Sequence, residues 1–201
     1  MSILYVMAAE PEYGPALRRR ITPLICGVGP VEAAVTVTAE LARRQAGGAL
    51  PRLVVSLGSA GSRVLSQTDV YQARSVIYRD MDATALGFAP GVTPYLDLPA
   101  EQPLAPLLEG VPQARLATGA SVVSGAAYDG IEAEMVDMET YAILRACQGF
   151  GLPLLALRGI SDGAEELRQL TDWTQYLDLI DPKLAAVVDR IEGEMAAGRL
   201  V

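Results

Sequence analysis

The most informative absence in this 201-residue sequence is histidine, which does not occur at all. Lysine is nearly absent as well, since Lys183 is the only one. If the protein is an enzyme, proton transfer near neutral pH therefore falls to Asp, Glu, Cys or Tyr side chains. The same absence excludes a Ser-His-Asp triad, a Cys-His pair and any metal site built on histidine.

Cysteines and long apolar runs are also scarce. Cys26 and Cys147 are the only two cysteines, and each lies in an apolar segment. Their spacing supports neither a disulfide nor a metal site, so we expect two buried thiols in a reducing, cytoplasmic setting. No apolar run reaches the roughly 20 residues of a membrane span. The N-terminal MSILYVMAAEPEYG has no basic region, and we expect a first strand there rather than a signal peptide.

The charge of the chain is acidic, with a net value of −8. The only basic cluster is Arg18 to Arg20, which makes a nucleic acid an improbable partner. Half of the residues are hydrophobic and only 5% are aromatic. The core is therefore expected to consist of aliphatic side chains.

Strands alternate with helices along the sequence. Short apolar runs predict strands over 2–8, 21–28, 52–58, 114–125 and 152–158, and a looser alternation over 69–80 suggests an antiparallel strand. Helices are predicted after Gly29 and Pro30, after VDMET, and near the C-terminus with Asp181 as N-cap and Pro182 at the first position. Residues 81–112 are expected to form a long loop. This alternation predicts one α/β domain over 1–201, a three-layer αβα sandwich with a mixed, mostly parallel sheet.

Polar side chains follow several of the predicted strands. Glu10 and Glu12 follow the first strand, Ser59 follows LVVSLG, and Arg158, Ser161 and Asp162 follow LLAL. In parallel sheets, ligands bind at the carboxyl ends of strands. These residues are therefore candidates for a ligand site.

The segment GVGPVEAA partly matches the dinucleotide-binding fingerprint. The third glycine of that fingerprint is missing, and the next strand ends in glycine where a ribose-binding acid would stand. Gly27 and Gly29 are better explained by a tight strand-to-helix turn. No cofactor and no metal are expected.

Two further fragments, VDMETYA (136–142) and LRGISDGA (157–164), place carboxylates beside apolar elements. Alone, each could be a capped helix start, because acids favour helix N-termini. Together with AAEPEY, CGVGPVEAA, SLGSAGS and RDMDATALGFAPG, in this order, they resemble the nucleoside phosphorylase and nucleosidase superfamily. The resemblance is to its methylthioadenosine/S-adenosylhomocysteine nucleosidase branch and covers nearly the whole chain.

The resemblance implies a role for each matching residue. Glu12 would be the base that activates the attacking water, with Glu10 as its rival, and Asp162 would be the acid at purine N7, held by Ser161. Glu139 and the Met138 backbone would bind the ribose. Arg158 and Ser59 would lie near the water and ribose, and Gly61 would let the backbone approach the ligand. The purine-recognition positions would be Tyr128, in place of the family's stacking phenylalanine, and Asp129.

The sequence also departs from this family. Ala126 stands where an aspartate is usual, and the connection AAYDGIEAEM is about a dozen residues shorter than normal, which puts recognition of the base by Tyr128 and Asp129 in doubt. Ser56 and the acidic AEPEYG stand where phosphorylases carry phosphate-binding arginines, which favours water over phosphate.

Three functions stay open: a methylthioadenosine-type nucleosidase, another hydrolase or phosphorylase of this fold such as a futalosine hydrolase, or a nucleoside-binding protein with weak catalysis. The resemblance also implies a role in methionine salvage and a homodimer. The apolar residues of 81–105 would contribute to the interface of that dimer.

Overall fold

The computed structural model describes residues 2–163 and 165–200, and the strands within this range form one mixed sheet. The eight strands are β1 (Ile3–Met7), β2 (Leu24–Ile25), β3 (Leu53–Gly61), β4 (Val70–Tyr78), β5 (Glu101–Pro103), β6 (Gln113–Thr118), β7 (Met135–Asp137) and β8 (Leu154–Asp162). β1 is parallel to β2 and β3, β3 is parallel to β8, and β6 is parallel to β4 and β7. β4 runs antiparallel to β5 and β8, and β3 to β7. β3, β7, β6, β4 and β8 thereby close into a ring.

Five α-helices of the described part of the chain cover this sheet: α1 (Pro15–Arg18), α2 (Pro30–Ala46), α3 (Thr140–Gly149), α4 (Leu170–Thr174) and α5 (Leu177–Ala196). Buried residues of α2 and α3, such as Val37 and Ile143, form one hydrophobic core with the sheet. Buried residues of α1 and α5, such as Leu17 and Leu184, form a second core on a different set of sheet residues. Helices on both faces of a mostly parallel sheet confirm the predicted αβα sandwich. Among the described residues, no helix combines the length and apolarity needed to cross a bilayer.

The start of the last helix was predicted wrongly. α5 begins at Leu177, and Pro182 lies inside it. Asp181 is buried, and its two carboxylate oxygens accept hydrogen bonds from the backbone N–H groups of Ala16 (2.7 Å) and Leu17 (3.0 Å). Asp181 therefore satisfies the free amides at the start of α1, about 165 positions away in the sequence, and not those of its own helix.

The sheet also differs from the prediction in detail. The sequence predicted an antiparallel strand over 69–80. β4 does pair antiparallel with β5 and β8, but it pairs parallel with β6. The predicted loop 81–112 contains β5, and β7 forms just before α3. β7 matters for the site because it brings the segment VDMET to the edge where β3 and β8 end.

Candidate active site

A cavity of about 540 Å³ lies at the carboxyl ends of the strands. Six of the residues singled out in the sequence line it together: Glu12, Ser59, Gly61, Met138, Glu139 and Asp162. They come from the turn after β1, the end of β3, the turn after β7 and the end of β8. The sheet thus joins four segments that are far apart in the sequence, as the rule for parallel strands predicts.

Glu12 ends a short 3-10 helix after β1 and is only 8% exposed. Its Oε1 accepts hydrogen bonds from the Ser59 backbone N–H (2.6 Å) and the Ser59 hydroxyl (2.7 Å). Its Oε2 is buried and has no hydrogen-bond partner among the described residues. Burial raises the pKa of the carboxyl, and the two Ser59 donors and Arg158 partly oppose that rise. Glu10, by contrast, is exposed and pairs with Arg18 at 2.7 Å.

Glu139 precedes α3 and is 7% exposed. Its Oε1 accepts a hydrogen bond from the Gly29 N–H at 2.8 Å. Gly29 has φ +97°, a backbone conformation that favours glycine, and Pro30 starts α2 directly after it. The Gly-Pro turn therefore positions the Glu139 carboxyl. Burial, followed by the nearby Asp137 charge, raises the pKa of Glu139 to about 8.

Asp162 ends β8 beside Gly61 of β3. Its Oδ2 accepts a hydrogen bond from the Ser161 hydroxyl at 2.7 Å. Burial raises the pKa of Asp162, and the Ser161 bond partly opposes this rise. A Cβ on Gly61 would stand 2.7 Å from Asp162 Oδ1 and would collide with the Tyr128 hydroxyl. Gly61 is therefore required for the close approach of these groups.

Arg158 lies inside β8 and is 2% exposed. Its guanidinium pairs with Asp137 (2.8 Å) and donates to the hydroxyls of Ser56 (2.9 Å) and Thr140 (2.6 Å). Asp137 Oδ2 also accepts the Thr140 backbone N–H at the start of α3. Arg158 does not line the large cavity. It lines a second, small cavity of about 10 Å³ together with Glu12, Ser56 and Glu139.

Tyr128 and Asp129, the candidate base-recognition residues, are not brought into the cavity wall. The Tyr128 ring packs against a small apolar cluster with Val123 and Val136. Asp129 is exposed and pairs with Arg63 at 2.6 Å. The short connection forms a 3-10 helix over Gly125–Gly130. It leaves Asp129 at the surface, whereas the Tyr128 hydroxyl lies close to Gly61 and near the Asp162 carboxyl. Asp129 therefore lies away from the cavity, whereas Tyr128 lies next to two cavity residues without lining the cavity itself, and its role in recognising the base stays a prediction.

Several lining residues were not identified from the sequence. They are Arg79, Val122 and Val123 after β4 and β6, and Leu167, Leu170 and Trp173 near α4. Trp173 is the only tryptophan of the chain, and its indole N–H donates to the Ser59 hydroxyl oxygen at 2.8 Å. Its uniqueness was a signal in the sequence, but α4 was not predicted and so nothing placed it at the site.

Chemically, the cavity combines four buried or partly buried carboxyl groups with almost no other proton-transfer groups. Asp137 is paired with Arg158, which leaves Glu12, Glu139 and Asp162 for proton transfer. Glu12, Glu139 and Asp162 all have raised pKa values because burial disfavours their charged forms. Raised values bring carboxyl groups toward the range in which they exchange protons near neutral pH. The arrangement can therefore supply both an acid and a base to one bound molecule.

Known proteins resemble this chain in both sequence and fold. The 5′-methylthioadenosine/S-adenosylhomocysteine nucleosidase of Staphylococcus haemolyticus is 31% identical, over 68% of this chain and 65% of that protein, so the match spans slightly less than two thirds of the relative's length. A futalosine hydrolase mutant of Helicobacter pylori has the same fold, with a TM-score of 0.78 and 21% identity over 96% of this chain and 98% of that chain. So does the methylthioadenosine nucleosidase of that organism bound to butyl-thio-DADMe-Immucillin-A, with a TM-score of 0.77 and 21% identity over 96% and 97%.

The family model described as the phosphorylase superfamily matches residues 14–191. This range includes every candidate site residue except Glu10 and Glu12, which lie just before it. Since the match extends over most of the sequence, this chain belongs to the phosphorylase superfamily.

Proposed function

We propose that this protein hydrolyses the N-glycosidic bond of a purine nucleoside of the methylthioadenosine or S-adenosylhomocysteine type. The observation that carries the proposal is the convergence of Glu12, Glu139 and Asp162 on one cavity, each with a raised pKa. Cleavage of this bond leaves a cationic sugar and negative charge on the base. Carboxyl groups alone can assist it, as they do in sugar hydrolysis.

In the proposed mechanism, the bond between ribose C1′ and the purine nitrogen breaks while Asp162 gives its proton to N7 of the leaving base. Ser161 holds the Asp162 carboxyl at 2.7 Å. Glu139 and the Met138 backbone bind the ribose hydroxyls. Glu12 takes a proton from water, whose oxygen forms the new bond to C1′. Oε2 is the oxygen of Glu12 that is free for this proton, because Oε1 already accepts two hydrogen bonds.

The small cavity beside Glu12 supports water as the nucleophile. Its volume of about 10 Å³ suits a single water molecule, which needs roughly 10–15 Å³ measured in this way. Phosphate is much larger. The Arg158 guanidinium at this cavity is already engaged by Asp137, Ser56 and Thr140, so it is not free to hold a phosphate by two parallel hydrogen bonds.

A second candidate, futalosine hydrolysis, is favoured by the similarity in fold to the Helicobacter pylori futalosine hydrolase. Both candidates use the same bond cleavage on different nucleosides. The test is to incubate the protein with methylthioadenosine, S-adenosylhomocysteine and futalosine in separate reactions and to measure the release of free base. Release from either of the first two supports the proposal, whereas release from futalosine alone supports the alternative. Tight binding of a nucleoside without release of base would contradict both candidates and indicate a nucleoside-binding protein.

We also propose a homodimer in the cytoplasm that takes part in methionine salvage. In the 81–105 segment, Leu86 and Tyr95 are 76% and 96% exposed. So much exposed apolar surface is unusual for a monomer and typical of an interface with another protein. The two thiols are free and buried, as in a reducing compartment. Sedimentation that shows a stable, active monomer at micromolar concentration would contradict the dimer.

A further inference from the structure

Trp173 contacts the proposed machinery from a segment outside the motifs that carry the family resemblance. It lies in α4, whose start is stabilised by a capping box between Gln169 and Asp172. The indole lines the large cavity and is partly buried against the core of α1 and α5. Its Nε1–H donates to Ser59 Oγ at 2.8 Å, and Ser59 Oγ lies 2.7 Å from Glu12 Oε1.

The chemistry of the indole fixes the direction of this chain of hydrogen bonds. An indole N–H can only donate, so the Ser59 oxygen must accept from Trp173. The single proton of the Ser59 hydroxyl is then directed toward Glu12 Oε1. If the hydroxyl pointed its proton at the indole instead, two donors would face each other.

This direction has a consequence for Glu12. Oε1 receives two donors from Ser59, namely the backbone N–H and the hydroxyl. A proton arriving at the carboxyl must therefore bind to Oε2, which is buried and has no partner among the described residues. Without Trp173, the Ser59 hydroxyl could rotate away from Glu12 Oε1. Oε1 would then accept fewer hydrogen bonds, and the preference of the proton for Oε2 would weaken.

We propose that Trp173 is a positioning residue for Glu12, which acts through Ser59 to fix Oε2 as the oxygen that accepts the proton. The inference rests on the proposed hydrolase function. It adds a residue that acts on Glu12 through its hydrogen bond to Ser59 and not by contact with the reacting atoms. The other titratable groups that interact electrostatically with Glu12 are Arg158 in β8, Glu139 before α3 and Cys26 after β2. A substitution of Trp173 leaves all three in place.

The kinetic test uses Trp173→Phe, which keeps an aromatic wall and removes the N–H. One neutral hydrogen bond corresponds to about a three- to tenfold effect, so kcat should fall by that factor with a smaller change in KM. Because donors to a carboxylate lower its pKa, the acid limb of the kcat/KM profile should move to higher pH. In a Ser59→Ala background, Trp173→Phe should have no further effect on the acid limb.

Leu170→Ala is the matched control, since Leu170 also lines the cavity but takes no part in the hydrogen bonds that join Trp173, Ser59 and Glu12. It should raise KM and leave the acid limb in place. If Trp173→Phe behaves like Leu170→Ala, or if its effect adds fully to that of Ser59→Ala, then Trp173 is only a wall of the cavity and the inference is overturned.

A second measurement does not depend on turnover or on a Trp173 variant. Because Trp173 is the only tryptophan, its indole N–H gives a single resonance in a ¹H–¹⁵N spectrum. This resonance should shift with pH as Glu12 titrates, should cease to do so in Glu12→Gln, and should move in Ser59→Ala. A resonance that is insensitive to pH and unchanged in Ser59→Ala would overturn the inference. Failure of the wild-type protein to release base would instead overturn only the proposed function.

Discussion

Replacement of Glu139 by glutamine should make the protein more stable at alkaline pH, although it removes a proposed substrate-binding group. Glutamine has the shape of the protonated glutamate, and its carbonyl oxygen can still accept the Gly29 N–H. The substitution therefore removes one feature, which is the ability of this buried group to ionise.

The size of the effect follows from the pKa. Burial and Asp137 raise the pKa of Glu139 from its ordinary value of 4.5 to about 8. The stabilisation associated with the protonated form is fully present below the ordinary pKa and is lost as the pH rises through the folded-state pKa. At about 1.4 kcal/mol per unit, the ceiling on this loss is about 5 kcal/mol between those two values. The variant should escape this loss, so its free energy of unfolding should rise relative to that of the wild type over the same range.

Urea unfolding at a series of pH values from about 5 to about 8.5 measures this difference. Glu109→Gln is the matched control, because it makes the same chemical change at an exposed position. A difference between Glu139→Gln and the wild type that does not change with pH would refute the reasoning, since it would mean that the Glu139 carboxylate is ionised in the folded protein without penalty.

The remaining predictions concern the acid, the buried ion pair and the choice of base. Asp162→Asn should lower turnover by about 10²-fold or more with an unchanged circular dichroism spectrum, because it removes the proposed leaving-group proton; a variant that keeps more than half of its activity would disprove that role. Arg158→Met should cost about 3–5 kcal/mol in chemical denaturation, because it leaves Asp137 buried without its partner, and Asp137→Asn in the same chain should recover part of this loss. Adenine and hypoxanthine nucleosides should differ by less than about 10²-fold in kcat/KM in a competition assay, because neither Tyr128 nor Asp129 lines the cavity. Discrimination above about 10⁴-fold would show that other groups close the pocket around the base.

The sequence predicted the layers of the fold and the place of the site for physical reasons. Apolar runs and glycine turns identify buried strands, and parallel strands bring their carboxyl ends to one edge. This reasoning, together with the family resemblance, was sufficient to predict that Glu12, Ser59, Glu139 and Asp162 line the same cavity. Each of them directly follows or ends a strand or turn that local sequence identifies.

The partners of these residues could not be predicted in the same way. Asp181 caps a helix that begins about 165 positions earlier, and Trp173 reaches Ser59 across 114 positions. Such contacts depend on how α4 and α5 pack on the sheet, which the spacing of residues within a segment does not specify. Asp129 shows the opposite case, since the resemblance places it at the base but its carboxylate is exposed and pairs with Arg63.

The origin of the oxygen in the sugar product tests the central claim most directly. The protein should be incubated with methylthioadenosine in ¹⁸O-labelled water that also contains phosphate, and the products should be analysed by mass spectrometry. We expect free adenine without label and a methylthioribose that carries one ¹⁸O at C1′, at a rate that phosphate does not change and that Glu12→Gln lowers by about 10²-fold or more. A sugar 1-phosphate as the main product, or release that requires phosphate, would contradict it.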